Sequence, residues 1–274
     1  MSSILTNNSA MVALQTLKSI NSNLSQTQSE ISTGKSVSSA KDNSAVWAIS
    51  KVMESDVGGF NAISDSLALG EATVAVATAG AEQITDLLTQ MKEKVVAATG
   101  ENVDHAKITA DVGELKNQIT SVIAAAQFNG ANLLDTAGGD VTVLSSLDRD
   151  AGGTVTASNI TVASVNFETG LDLTTIDVSS SANADTSLAN IETLIQTAVD
   201  GAAALGASQK RLGDQSDFVS KLTDAMKSGI GAMVDADMEE ASARLQALQV
   251  QQQLGVQSLS IANQGAQSIL SLFR

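Results

Sequence analysis

Val234–Arg274 reads VDADMEEASARLQALQVQQQLGVQSLSIANQGAQSILSLFR. Stepping alternately four and three residues from Val234 reaches Met238, Ala241, Leu245, Leu248, Gln252, Gly255, Leu259, Ala262, Ala266, Ile269 and Phe273. All of these except Gln252 and Gly255 are apolar. An apolar residue every 3.5 positions marks a helix that hides one narrow seam against another helix. Past Glu240 the only charges are Arg244 and Arg274, and the outer face reads as Gln, Ser, Asn and Gly. A helix whose outside meets water carries Glu and Lys there. This one is patterned to be surrounded by protein.

The same spacing recurs toward the N-terminus. It runs Ala10, Ala13, Leu17, Ile20, Leu24, Thr27, Ile31, and Ser32-Thr33-Gly34-Lys35 ends that helix before a small polar linker, 36–40. Asp42 is a candidate N-cap for the next helix. That helix steps Val46, Ile49, Met53, Asp56, Phe60, Ile63, Leu67, Gly70, Val74, Ala77, Ala81, Ile84, Leu88, Met91, Val95, and Thr99-Gly100 stops it. At ~1.5 Å per residue it is roughly 75–80 Å long, too long for a compact globule. A third helix follows Asp104, with His105, Ile108, Val112, Leu115, Ile119, Val122 and Ala126 on its seam. A fourth begins near Ser187 and steps Leu188, Ile191, Ile195, Ala198, Ala202, Leu205, then Leu212, Val219, Met226, Ile230, Met233. The skip from Met233 to Val234, beside Gly229, Gly231 and the acidic run 235–240, reads as a boundary.

The stretch 129–181 is different, being rich in Gly, Thr, Val, Asp and Ser. Val141, Val143 and Leu147 alternate, 148–153 reads as a turn, and 154–167 is β-branched with a period near two. The expected fold is therefore mainly α, a long antiparallel helical bundle or coiled coil formed by both chain ends, with a small β-hairpin insertion. Three parts are expected: a terminal coiled coil of 1–40 plus 234–274, an outer helical domain of 41–128 plus 182–233, and a β-rich variable insertion at 129–181. Surface variation concentrates in such insertions.

Composition agrees. The chain of 274 residues has 43% hydrophobic content but only 2% aromatic, so its apolar mass is Ala, Val, Leu and Ile, suited to thin helix seams. There is no proline, which fits long uninterrupted helices. There is no cysteine, which excludes disulfides and Cys-ligated metals. Met1–Ala10 has no Lys or Arg and no long apolar run, so a cleaved secretory signal is not expected, and neither is a membrane span. The net charge is −15, yet 1–40 sums to +1 and 241–274 to +2, which leaves −18 for 41–240. An acidic body disfavours nucleic acid and anionic membrane as partners.

Chemistry-bearing constellations are absent from the sequence. His105, the only histidine, lies on a seam beside a helix start and reads as a packing or capping residue. Asp148 with Asp150, and Asp235 with Asp237, lack the spacing of a calcium loop and read as solvated or capping acids. No nucleophile elbow or phosphate-binding glycine loop occurs. Trp47 reads as a packing anchor, and Asn159-Ile160-Thr161 as a chance glycosylation triplet. No enzymatic activity and no cofactor or metal are expected.

Three segments carry a family resemblance. Ile31-Ser32-Thr33-Gly34-Lys35, with Ser39-Ala40-Lys41-Asp42-Asn43-Ser44-Ala45, resembles the N-terminal signature of bacterial flagellins. Phe128-Asn129-Gly130-Ala131-Asn132-Leu133-Leu134 is similar to their F-N-G-x-x-L-L segment. Ser260-Ile261-Ala262-Asn263-Gln264 and Ile269-Leu270-Ser271-Leu272-Phe273-Arg274 resemble their C-terminal signature. The resemblance implies a structural subunit that is exported unprocessed through a flagellar type III channel. It polymerises into the extracellular filament that drives swimming. The implied partners are further copies of itself, an export chaperone, the export apparatus, the filament cap and hook-associated proteins. Gln90–Val96 departs from the arginine-rich stretch that many members present to an innate immune receptor, so receptor activation is not expected.

The alternatives are a hook–filament junction protein, which shares the terminal helices, and an exported coiled-coil effector or translocator. The expected assembly seam is Leu17, Ile20, Leu24, Ile31, Leu245, Leu248, Leu259, Ala262, Ile269 and Phe273. With so little to bury alone, these ends are expected to order on assembly.

Overall fold

The computed structural model describes residues 7–150 and 152–271, with side chains as far as Gln264. Six α-helices and four strands follow one another. They are α1 (Asn8–Thr33), α2 (Ser44–Ala98), α3 (His105–Ala125), β1 (Gln127–Phe128), β2 (Ala131–Asn132), β3 (Val141–Arg149), β4 (Val155–Val162), α4 (Phe167–Gly170), α5 (Ser181–Val234) and α6 (Met238–Ser271). The chain divides into two compact units, 1–55 with 225–274 and 56–224. The fold is mainly α with a small antiparallel β ribbon, as its periodicity dictates.

In the terminal unit, Gly34 ends α1. It adopts the left-handed conformation (φ +70°) that a side chain resists, and its N–H donates to Glu30 O at 2.8 Å. Asp237 starts α6, its Oδ1 accepting the N–H groups of Glu239 (2.9 Å) and Glu240 (3.2 Å). Asp42 does not cap α2 as expected. Its carboxylate turns back to accept the amides of Ser38 (3.1 Å) and Ser39 (2.9 Å) and both their hydroxyls. Asn43 caps instead, accepting from Val46 N at 3.2 Å. A carboxylate two residues from the helix satisfies a turn's free amides as readily as the helix's own.

In the central unit α2, α3 and α5 share one core. On α3, Asp111 meets Lys94 at 2.7 Å while Val122, and Ala126 just past its end, lie against Gly80; on α5, Glu192 meets Lys92 at 2.5 Å while Gly213 lies against Glu71, so both helices run antiparallel to α2. Every position of the long ruler from Phe60 to Val95 is buried, as are Val112 and Ile119 of α3 and Ile191, Ala198, Leu205, Leu212 and Val219 of α5. Asp104 caps α3, accepting from Lys107 N at 3.3 Å. α5 begins at Ser181, six residues before the expected start. Ser187, read as a start signal, is buried within it and exchanges two hydrogen bonds with the backbone of Asp177, both 2.8 Å.

The ruler's two interruptions in α2 are where β3 docks. Asp56 accepts Arg149 in a forked pair, Nε at 3.2 Å. At Gly70 a Cβ would lie 2.5 Å from Val143 Cγ2, so only glycine lets the strand this close. Ser66 Oγ accepts Leu144 N at 3.3 Å, and Gln215 of α5 donates to Ser145 O at 2.8 Å. β3 and β4 pair antiparallel with an irregularity between Leu144 and Ser146. Asp148 and Arg149, read as part of a turn at 148–153, belong to β3, and beyond them Asp150 N donates to Thr154 O at 3.0 Å.

A second hairpin, β1–β2, straddles the start of the expected β insertion, pairing Gln127 with Asn132 and Phe128 with Ala131. Asn129 and Gly130 both have positive φ (50° and 84°), the two-residue turn whose twist matches a hairpin. The Asn-Gly pair was its signal. After it, Asn132 is buried; its amide donates to Ile123 O (2.7 Å) and its Oδ1 accepts Leu134 N (2.8 Å), which ties the end of α3 to the next turn. Leu134 O accepts Phe167 N at 2.7 Å, and the Phe167 ring is wholly buried against Gly201.

Candidate assembly surface

α1 and α6 lie antiparallel. Asn7 Nδ2 donates to Ala262 O at 2.9 Å near one end of the pair, and Gln252 Nε2 donates to Asn21 Oδ1 at 2.7 Å in the middle. At the other end Ser36 N donates to Val234 O (2.7 Å) and Ala236 N to Gly34 O (3.0 Å), a clasp that closes the pair. The sidedness along α1 follows the ruler: Ala10, Ala13, Leu17, Ile20, Leu24, Thr27 and Ile31 are buried or half-buried. On α6 the same holds for Ala241, Leu245, Leu248, Gln252, Gly255, Leu259 and Ala262, while Met238 is exposed.

The seam's interruptions again mark contacts. A Cβ on Gly255 would sit 3.0 Å from Leu17 Cδ1 and 3.8 Å from Ile20 Cδ1, so glycine admits the two side chains. Gln252 finds its polar partner in Asn21, an exposed residue beside the seam, so its amide is satisfied at the seam's edge. Of the residues named from sequence, Leu17, Ile20, Leu24, Ile31, Leu245, Leu248, Leu259 and Ala262 all lie on this seam. The side chain of Ile269, and Phe273, lie outside the described residues.

Sequence reasoning missed the outer face. It is not only Gln, Ser, Asn and Gly. Met11, Val12 and Leu14 of α1 and Val250, Leu254, Val256 and Ile261 of α6 stand more than half exposed, Ile261 at 69%. Their signal was present as apolar residues off the ruler. From 245 to 264 there is no charged residue at all. α6 is thus apolar on its seam and again, at Val250, Leu254, Val256 and Ile261, on side chains that stand exposed.

Acid-sensitive ties lie in both units. Hydrogen bonds from Ser39 and Ser38 hold the Asp42 carboxyl below its ordinary 3.8. Lys51, then Lys35, hold Glu54 below 4.5. Glu168, which accepts from Thr136, and Asp177, which accepts from Ser179 and Asn183, are lowered in the same way. A carboxyl whose folded pKa is depressed contributes stability that is complete above its unfolded value and is lost as pH falls through the folded one. Thermal unfolding should therefore be unchanged from pH 7 down to about 5 and shift to lower temperature only below the ordinary values of 4.5 and 3.8, followed by circular dichroism. A steady loss between pH 7 and 5 would contradict this.

Comparison with known proteins bears on the whole chain. A family model described as the bacterial flagellin N-terminal helical region matches residues 4–138, and one described as the bacterial flagellin C-terminal helical region matches 156–273. Flagellin FljM of Caulobacter vibrioides is 45% identical over 280 residues, covering 100% of this chain and 99% of that protein. A flagellin of Brucella melitensis is 41% identical over 282 residues, covering 100% of both. The crystal structure of Bacillus cereus flagellin superposes with a TM-score of 0.49 at 21% identity, covering 55% of this chain and 86% of that one.

Proposed function

Because the chain belongs to the bacterial flagellin family, and so is a structural subunit of the flagellar filament, we propose that its two ends are the polymerising element. In this reading 1–40 with 234–274 forms the filament core, 41–128 with 182–233 packs outside it, and 129–181 is the surface insertion. The observation that carries it is the outer face of the α1–α6 pair, apolar at Met11, Val12, Leu14, Val250, Leu254, Val256 and Ile261 and free of charge from 245 to 264. Packing that face against neighbouring copies removes it from water, a gain of about 25 cal/mol per Å² of apolar surface.

The same face is what an export chaperone would shield before assembly. The route proposed is the flagellar type III channel, and the remaining partners are the cap and the hook-associated proteins. Among the described residues no helix is long and apolar enough to cross a membrane.

Sedimentation of purified protein with and without short filament seeds tests the reading. Polymer should form on the seeds and incorporate both ends. Salt supplies a second readout. Crowding copies of a segment carrying −18 is opposed by repulsion over about 10 Å at ~0.1 M ionic strength. Raising salt from low to moderate should speed seeded growth. Lowering pH from 7 toward 5 should do the same as carboxylates take up protons, before the folded unit weakens. Growth that slows steadily as salt rises would overturn the repulsion argument.

A further inference from the structure

We propose that Asn129 is a site of spontaneous deamidation, a covalent modification that the filament-subunit reading does not require. Asn129-Gly130 is the only Asn-Gly pair in the chain. It forms the tip of the β1–β2 hairpin, and both residues are exposed. Among the described residues the Asn129 side chain has no hydrogen-bond partner, and the Gly130 N–H donates to none. The attacking nitrogen and the attacked carboxamide are therefore both free. Glycine also presents no side chain to crowd the approach.

The step balances without any catalyst. Gly130 N, on losing its proton to solvent base, attacks Asn129 Cγ. The N–Cγ bond forms, the Cγ–Nδ2 bond breaks and ammonia leaves, giving a five-membered succinimide. Water then opens either of its carbonyls, leaving aspartate or isoaspartate. The net change is one water consumed and one ammonia released, with no change of oxidation state. Attack requires Asn129 to leave its turn conformation. The ladder holding that turn is two pairs long, Gln127↔Asn132 and Phe128↔Ala131, so local opening is easy.

The other asparagines lack this combination. Asn132 is buried with both amide atoms engaged. Asn166 accepts Thr169 N, and Asn43 accepts Val46 N. Asn102 and Asn159 are exposed, but Val103 and Ile160 follow them, and their branched side chains hinder the attacking nitrogen. Each event at Asn129 adds a negative charge to the acidic segment, and the isoaspartate form also lengthens the backbone of a two-residue turn.

The test incubates the full-length protein in mildly alkaline buffer and follows the tryptic peptides 95–107, 117–149 and 150–210, which hold Asn102, Asn129 and Asn159 respectively, by mass spectrometry, with fragmentation to place the change. Conversion at Asn129 should outpace that at Asn102 and Asn159 by at least roughly tenfold, the ratio that about 1.4 kcal/mol of barrier produces. The product should accept a methyl group from S-adenosylmethionine in the presence of an isoaspartate methyltransferase. Conversion at Asn129 no faster than at Asn102 and Asn159, or a product free of isoaspartate, would overturn the proposal.

Discussion

Leu259→Asp should abolish seeded polymerisation while leaving the unfolding of the 56–224 unit at its wild-type temperature. Leu259 is half-buried on the α6 seam, between Gly255 and Ala262. The nearest turns of α6 offer a new carboxylate no cation, since 245–264 is uncharged. In the proposed polymer this seam is dry, where an unpaired charge costs several kcal/mol, and that penalty falls on every subunit. The central unit does not include this position. Its melting, followed by circular dichroism, should therefore not move. A variant that assembles normally would remove the seam from the account. One that fails to assemble and also loses the main unfolding transition would show that the terminal pair belongs to the cooperative core of the monomer.

The largest expected effect on folding lies elsewhere. Phe167→Ala should destabilise the central unit by about 3–5 kcal/mol, the usual cost of emptying an aromatic site in a packed core. The ring is wholly buried, and a Cβ on Gly201 would come within 2.6 Å of its Cζ, so the site is tightly filled. Its backbone N–H also pins the turn at Leu134. The midpoint in urea should fall with little change in slope, as expected when stability changes and compactness does not. Gly201→Val should also destabilise, from overpacking against Val165 and Phe167. A loss below about 1 kcal/mol for Phe167→Ala would contradict the packing described.

These two residues also show what could be read from sequence and what could not. Leu259 was legible because a seam repeated over many turns leaves a period that single residues cannot blur. The same period runs through Leu17, which is half-buried, and through Leu248, Ile63 and Ile191, which are buried. Phe167 was not legible. In sequence it closes a β-branched run, whereas the strand stops at Val162 and Phe167 opens a single helical turn. Its role depends on Leu134 and Gly201, distant in sequence, and no local pattern encodes such a meeting.

The interruptions were legible as positions but not as causes. Asp56, Gly70, Gln252 and Gly255 each break the apolar spacing. Each proves to be where another element docks: Arg149, Val143, Asn21 and Leu17 respectively. The outer apolar face was misjudged for a related reason. Reading one stripe as the seam leaves the remaining Val, Leu and Ile residues incidental, although the structure exposes them as a second apolar face.

The sequence also led to the expectation that the chain ends order only on assembly. The structure places both as helices paired with each other, yet Thr27, Val234, Ala241 and Leu248 are the only buried residues along that pair among the described ones. So thin a seam gives little protection against local opening. Comparing amide hydrogen exchange in monomer and filament therefore tests the central claim directly. Amides of 245–264 should exchange fast in the monomer and be strongly protected in the filament, while those of 63–95 in α2 are protected in both. Equal protection of 245–264 in the two states would show that the terminal pair is not the element that assembly buries.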